Sequence, residues 1–167
     1  ALVEGSIIEI NVTTPEGKNY CTNVKLKADD MELFDSFKNT KALFVVDPVM
    51  GDNGTLYDGF TGSLCDEIKK LACRADVITP NVTELRRLTG ENDAEKAARI
   101  MLESGNKAVV LTGVEKDGMI GSTVFTRDCC KTFLAPKRGG YFSGTGDIFS
   151  AVLTGRMLNG ASVFDAA

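Results

Sequence analysis

Histidine is absent from the 167 residues. That removes Ser-His and Cys-His nucleophile systems, and a zinc site would have to be built from cysteines and carboxylates alone. The five cysteines (21, 65, 73, 129 and 130) are odd in number and contain no Cys-x-x-Cys spacing. A disulfide framework or a metal clip is therefore a poor fit, and reduced thiols in a cytoplasmic protein are the simplest reading. Cys129 and Cys130, if on a strand, point to opposite faces. No apolar run reaches membrane-spanning length, and nothing at the start reads as a signal peptide. Positive charge is also in deficit: 19 Lys and Arg face 23 Asp and Glu, for a net charge of −4. This argues against nucleic acid or an anionic membrane surface as the main partner. What remains is carboxylate and metal chemistry in a soluble globular chain long enough for a sizeable core.

The most informative stretch that is present is Gly140-Tyr-Phe-Ser-Gly144-Thr-Gly-Asp147-Ile-Phe-Ser150. Gly144 and Gly146 let backbone N–H groups approach an anion closely, and the helix that follows adds its unpaired donors and dipole. Asp147 places a proton acceptor beside that phosphate cradle, which suits phosphoryl transfer to a hydroxyl. A plain turn followed by an acidic first helical turn uses the same residues. A second stretch runs Val45-Val-Asp47-Pro-Val-Met-Gly-Asp52-Asn-Gly-Thr-Leu-Tyr57. Ala42–Val46 reads as a buried strand whose carboxyl end opens into a glycine-rich loop, where open α/β sheets bind ligands. In the third, Asp76-Val-Ile-Thr79-Pro-Asn81-Val-Thr-Glu84, a short strand stops at Pro80. Asn81 and Glu84 then lie three apart on one side of a helical turn, spaced either to hold Mg²⁺ through water or to form a helix cap.

In this order the stretches resemble the ribokinase-like superfamily of small-molecule kinases, and within it the vitamin B6 (pyridoxal/pyridoxamine) kinases. The matching pieces are residues 47–52 with Tyr57 downstream, 78–84, Val109-Val-Leu-Thr112-Gly113 and Gly144–Asp147. The related hydroxymethylpyrimidine phosphate kinases usually have cysteine where Asp147 stands. The resemblance implies ATP-dependent phosphorylation of the 5′-hydroxymethyl group of a B6 vitamer in a cytoplasmic homodimer. It implies Asp147 as the base and the backbone of Gly144, Thr145 and Gly146 as the anion hole. Asp52, Asn81 and Glu84 would position Mg²⁺ and the ATP phosphates. Asp47, Thr79 and Thr112 would adjoin a monovalent cation such as K⁺, Thr112 and Gly113 would line the nucleotide pocket, and Tyr57 would sit on a shielding loop. Two alternatives stand beside this reading: a hydroxymethylpyrimidine or other small-molecule kinase, and a non-catalytic nucleotide-binding fragment that needs a missing region. The family's long N-terminal region, which carries most contacts to the pyridine ring, has no counterpart here.

The rest of the chain supports an α/β layout: a three-layer sandwich with a largely parallel sheet flanked by helices. One domain over 1–167 is expected, with 1–40 as a distinct hairpin and connector and 41–167 as the phosphate-handling part. Helices are predicted between Ser63 and Cys73, around Leu85 and Leu88 up to Gly90, from Asp93 after an Asn92 cap to Gly105, and from near Asp147 onward. The last carries Ile148, Phe149, Val152, Leu153, Met157 and Leu158, which suggests burial. Lys107–Thr112 reads as a buried strand, and Met119–Phe125 with Lys131–Ala135 as an antiparallel pair. Ile8, Ile10 and Val12, the turn Thr13–Gly17 and the run from Tyr20 to Leu26 read as a β-hairpin. Asp29–Glu32 reads as a helix start, and Lys137-Arg138 as a solvated loop tip.

Overall fold

The computed structural model describes residues 7–13, 19–25, 42–140 and 144–167, with the backbone course alone for the first two segments. It divides into two compact units, Ala1–Ala42 and Leu43–Ala167. In the first, β1 (Ile7–Thr13) pairs antiparallel with β2 (Asn19–Lys25), Ile7 opposite Lys25 and Thr13 opposite Asn19. This is the expected hairpin. Its turn residues 14–17 and the acidic run Asp29–Glu32 lie outside the described residues.

The second unit follows from strands that are apolar at consecutive positions, a pattern that requires cover on both faces of a sheet. The strands are β3 (Val45–Val46), β6 (Val77–Ile78), β7 (Ala108–Lys116), β8 (Met119–Phe125) and β9 (Cys130–Pro136), joined in the order β3-β6-β7-β8-β9. Between the first two lies a separate small hairpin, β4 (Gly51–Asp52) with β5 (Thr55–Leu56). The site-bearing half, β3-β6-β7, is parallel, and β8 and β9 complete the sheet antiparallel as the sequence predicts. Alternate residues feed different cores. Val46, Ile78, Val109, Leu111 and Phe125 pack with α1 (Gly62–Ala72), α2 (Val82–Thr89) and α3 (Ala94–Ser104). Val77, Ala108, Val110 and Val124 pack with α4 (Thr145–Leu158) and α5 (Val163–Ala166). The period-2 split between two cores is what makes three layers.

Helix ends follow local chemistry. Gly90 closes α2 in the left-handed region at φ 77°, as a C-terminal glycine commonly does. The cap of α3 is Asp93 rather than Asn92: Asp93 Oδ1 accepts the Lys96 N–H at 2.9 Å, while Glu91 Oε1 takes the amides of Asn92 and Asp93. Strand β7 runs past the expected end at Thr112, because a register shift between Leu111 and Val114 lets pairing with β8 resume as far as Lys116. The expected burial of α4 holds for one stripe only. Leu153 is fully buried and Phe149 and Met157 pack beside it, but Ile148, Val152 and Leu158 are exposed. Apolar residues surround this helix, and only the i, i+4, i+8 stripe meets the sheet.

Candidate active site

Parallel strands β3 and β6 end side by side, so the residues that follow them, Asp47 and Thr79, meet at the carboxyl edge of the sheet. Thr79 Oγ1 donates to Asp47 Oδ1 at 3.1 Å, Ser150 Oγ of α4 donates to Asp47 Oδ2 at 2.9 Å, and the two hydroxyl oxygens are 2.9 Å apart. Partial burial pushes the Asp47 carboxyl above the usual carboxylate range. The two hydroxyl hydrogen bonds oppose that shift, and the charge of Asp147 adds to it.

The start of α2 is a capping box: Asn81 Oδ1 accepts the Glu84 N–H at 3.0 Å and Glu84 Oε2 accepts the Asn81 N–H at 2.8 Å. The same side chains reach further. Glu84 Oε1 accepts the Met50 N–H at 3.1 Å, Asn81 Nδ2 donates to the Gly51 carbonyl at 2.8 Å, and Thr83 Oγ1 accepts the Gly54 N–H at 2.8 Å. The helix start thus clamps the β4–β5 hairpin. That hairpin turns on Asn53 (φ 50°) and Gly54 (φ 82°), the two positive φ values that a tight I′ turn needs. Glu84 is only 4% exposed. Desolvation by burial lifts its carboxyl from 4.5 to about 7, against its backbone hydrogen bonds and with a contribution from Asp47.

At the start of α4, Gly144 is the N-cap residue at φ 82°, with no side-chain cap. Asp147 is the third helical residue, and its Oδ2 lies 3.8 Å from where a Cβ on Gly144 would stand. A Cβ on Gly146 would project into open space. Residues 144–147 are exposed, so backbone donors, the helix dipole and a carboxylate face one accessible region.

The other candidates are held by local contacts. Thr112 forms a parallel bridge with Asn81 and donates its N–H to the Pro80 carbonyl at 2.9 Å. Gly113 occupies the β7 irregularity at φ 68°. Tyr57, 43% exposed, follows the small hairpin, with its N–H on the Met50 carbonyl at 3.0 Å and its ring edge-on to Phe60. The Asp52 carboxylate accepts both the backbone N–H and the side-chain amide of Asn53, at 2.8 and 3.2 Å. Asp47, Thr79 and Ser150 are in direct contact, with Glu84 and Asp147 within electrostatic range of Asp47. Among the described residues, no three acidic or cysteine side chains form a ready metal cage. The ion pairs between described residues, Lys70–Glu67, Arg99–Glu95, Lys107–Asp76 and Lys137–Glu115, do not involve this cluster. Carboxylate and hydroxyl oxygens are the donor set that hard cations favour.

Ser150 is the residue that the sequence reading passed over. The signal was its position one helical turn after Asp147, but the carboxylate it meets lies 103 residues earlier in the chain. A cavity of about 110 Å³, lined by Arg99, Phe125, Cys129 and Cys130 among others, lies between α3 and the β8–β9 turn, and none of the site residues line it. Cys65, Cys73, Cys129 and Cys130 are free thiols. No helix among the described residues is long and apolar enough to cross a membrane.

A sequence model of the family described as phosphomethylpyrimidine kinase matches residues 27–167. Pyridoxal kinase from Dictyostelium discoideum is 35% identical over 136 residues, which is 71% of this chain and 44% of that protein. The chain spans about half the length of the curated relatives it matches. Among solved structures, pyridoxal kinase from Lactobacillus plantarum superposes with a TM-score of 0.77 at 25% identity, over 95% of this chain and 70% of that one. Pyridoxal kinase from Leishmania donovani in complex with ADP and pyridoxine gives a TM-score of 0.67 at 28% identity, over 83% of this chain and 49% of that one.

Proposed function

Because the chain belongs to the phosphomethylpyrimidine kinase family, we propose that it transfers the γ-phosphate of ATP to the 5′-hydroxymethyl group of pyridoxal, pyridoxamine or pyridoxine. The observation that carries this reading is the juxtaposition at the start of α4: a solvent-exposed, glycine-flanked helix start at Gly144–Gly146 with no side-chain cap, and the Asp147 carboxylate in its first turn. Asp147 accepts the proton of the attacking hydroxyl, and the Gly144–Gly146 N–H groups meet the charge that develops on the transferred group. Asp52, Asn81 and Glu84 would hold Mg²⁺ and the ATP phosphates, while Asp47, Thr79 and Thr112 would adjoin a monovalent cation such as K⁺. When bound, Mg²⁺ neutralises charge on the phosphates. Thr112 and Gly113 line the nucleotide side, and Tyr57 sits on the loop that excludes water. A cytoplasmic homodimer completes the proposal.

Relatives that match at 35% and 33% identity are named pyridoxal kinase, and Asp147 stands where the pyrimidine enzymes usually have cysteine. The family description itself favours a second reading, hydroxymethylpyrimidine as acceptor. The chain's span of about half its relatives' length favours a third, a nucleotide-binding part that requires further chain to act. A panel of acceptors with Mg·ATP and this chain separates the three. Phosphorylation of B6 vitamers alone supports the first, and phosphorylation of the pyrimidine alone the second. Mg·ATP binding without any transfer supports the third.

A further inference from the structure

The hydrogen-bond count around Asp47 singles out Ser150. Four contacts at hydrogen-bond distance link these groups: Thr79 to Asp47 Oδ1, Ser150 to Asp47 Oδ2, Thr79 to Ser150, and Ser150 to the Gly146 carbonyl at 3.0 Å. Only two hydroxyl hydrogens, those of Thr79 and Ser150, are available to fill them. An ionised Asp47 takes both, because bonds to a charged acceptor are the stronger ones. The Ser150 hydrogen is then drawn out of the helix, away from the Gly146 carbonyl four residues back, and onto a strand-end carboxylate. Without Asp47 the Ser150 hydrogen falls back on that local i−4 bond, and only the Thr79 hydroxyl is left to reach α4 from the sheet edge.

Ser150 is therefore the hydrogen-bonded link between the carboxyl edge of the sheet and the first turn of α4, where Gly144, Gly146 and Asp147 sit. We infer that Ser150 is a positioning residue: its bond to Asp47 fixes the first turn of α4 against the ends of β3 and β6, and with it the placement of the Asp147 carboxylate. This rests on the kinase reading above. Ser150 itself touches none of the reacting groups. Its removal acts on the transfer step and leaves nucleotide binding largely alone, because the backbone donors of the cradle stay in place.

The test compares wild-type chain with Ser150→Ala, Ser150→Thr, Asp47→Ala and the Asp47→Ala/Ser150→Ala double variant, measuring pyridoxal phosphorylation, KM for Mg·ATP and Tm. The expected loss for Ser150→Ala is roughly 10- to 100-fold in kcat, with KM changed by less than about twofold. Ser150→Thr keeps the hydroxyl and restores kcat to within about threefold, while Ser150→Ala adds no more than about twofold on top of Asp47→Ala. Three results overturn the inference: wild-type kcat in Ser150→Ala, a threonine variant as poor as alanine, or losses that multiply in the double variant. A wild-type chain that phosphorylates no vitamer is a different result, visible before any variant is made. It overturns the kinase reading and this inference with it.

Discussion

Glu84 gives the sharpest physical test of the clamp between α2 and the small hairpin. Its two oxygens accept N–H groups from Met50 and Asn81, and burial raises its carboxyl from 4.5 to about 7. A raised folded-state value means that the folded chain holds the proton more tightly than the unfolded chain does. The associated stability is fully present below about pH 4.5 and is lost as pH rises through about 7. At about 1.4 kcal/mol per unit, the displacement corresponds to about 3 kcal/mol between the two ends of that window. The perturbation is Glu84→Gln, which cannot ionise and so removes this pH dependence while keeping the side-chain shape. Its amide NH₂ faces one of the two N–H donors, a cost of about 1–3 kcal/mol that does not vary with pH. Urea unfolding of both proteins at pH 5, 6, 7 and 8 in a metal chelator isolates the titrating part. The stability of wild type relative to the variant should fall by about 2.5 kcal/mol across the series, most of it between pH 5 and 7 and little of it beyond, since the slope is greatest midway between the two values. A difference that stays constant from pH 5 to 8 would refute the raised carboxyl and the desolvation that causes it.

Two glycine substitutions test the backbone around the site. A Cβ on Gly51 would lie 2.1 Å from the Thr55 carbonyl oxygen, so Gly51→Ala should force the small hairpin apart. The expected destabilisation is about 1–3 kcal/mol in urea unfolding, and a wild-type midpoint would contradict it. Gly144 holds φ 82° at the head of α4, so Gly144→Ala should cost about 1–2 kcal/mol of stability. It should also weaken Mg·ATP binding by calorimetry, and unchanged affinity with unchanged stability would show that this turn is not needed in its left-handed form.

Much of this fold was legible because its rules are local. Consecutive apolar residues at 108–111 announce a strand covered on both faces, and Gly90 and Gly105 stop helices where a left-handed or open residue is needed. The Asn53-Gly54 turn is also local, yet the stretch reads from sequence as a glycine-rich loop, and the hairpin emerges only in the structure. The site was legible in parts. Asp47 and Thr79 each follow a short buried strand, so their placement at the sheet edge follows from strand order. Whether Asn81 and Glu84 cap a helix or serve a ligand was left open by spacing alone. In the fold they cap, and they also grip the loop from Met50 to Gly54 through contacts some 30 residues apart in sequence. Ser150 could not be assigned from the chain, because its partner is set by the packing of α4 on the sheet. The exposed outer face of α4 was misread for a related reason: apolar content gives no direction when the apolar residues surround the helix.

The central claim is that Asp147 is the base for phosphoryl transfer to a B6 vitamer. The most direct measurement is formation of pyridoxal 5′-phosphate from pyridoxal and Mg·ATP, followed by absorbance, for wild type and Asp147→Asn, with Mg·ATP affinity measured on both. The account predicts turnover by wild type, loss of at least about 100-fold in the variant, and nucleotide affinity unchanged within a few-fold. Retained turnover in Asp147→Asn would contradict it.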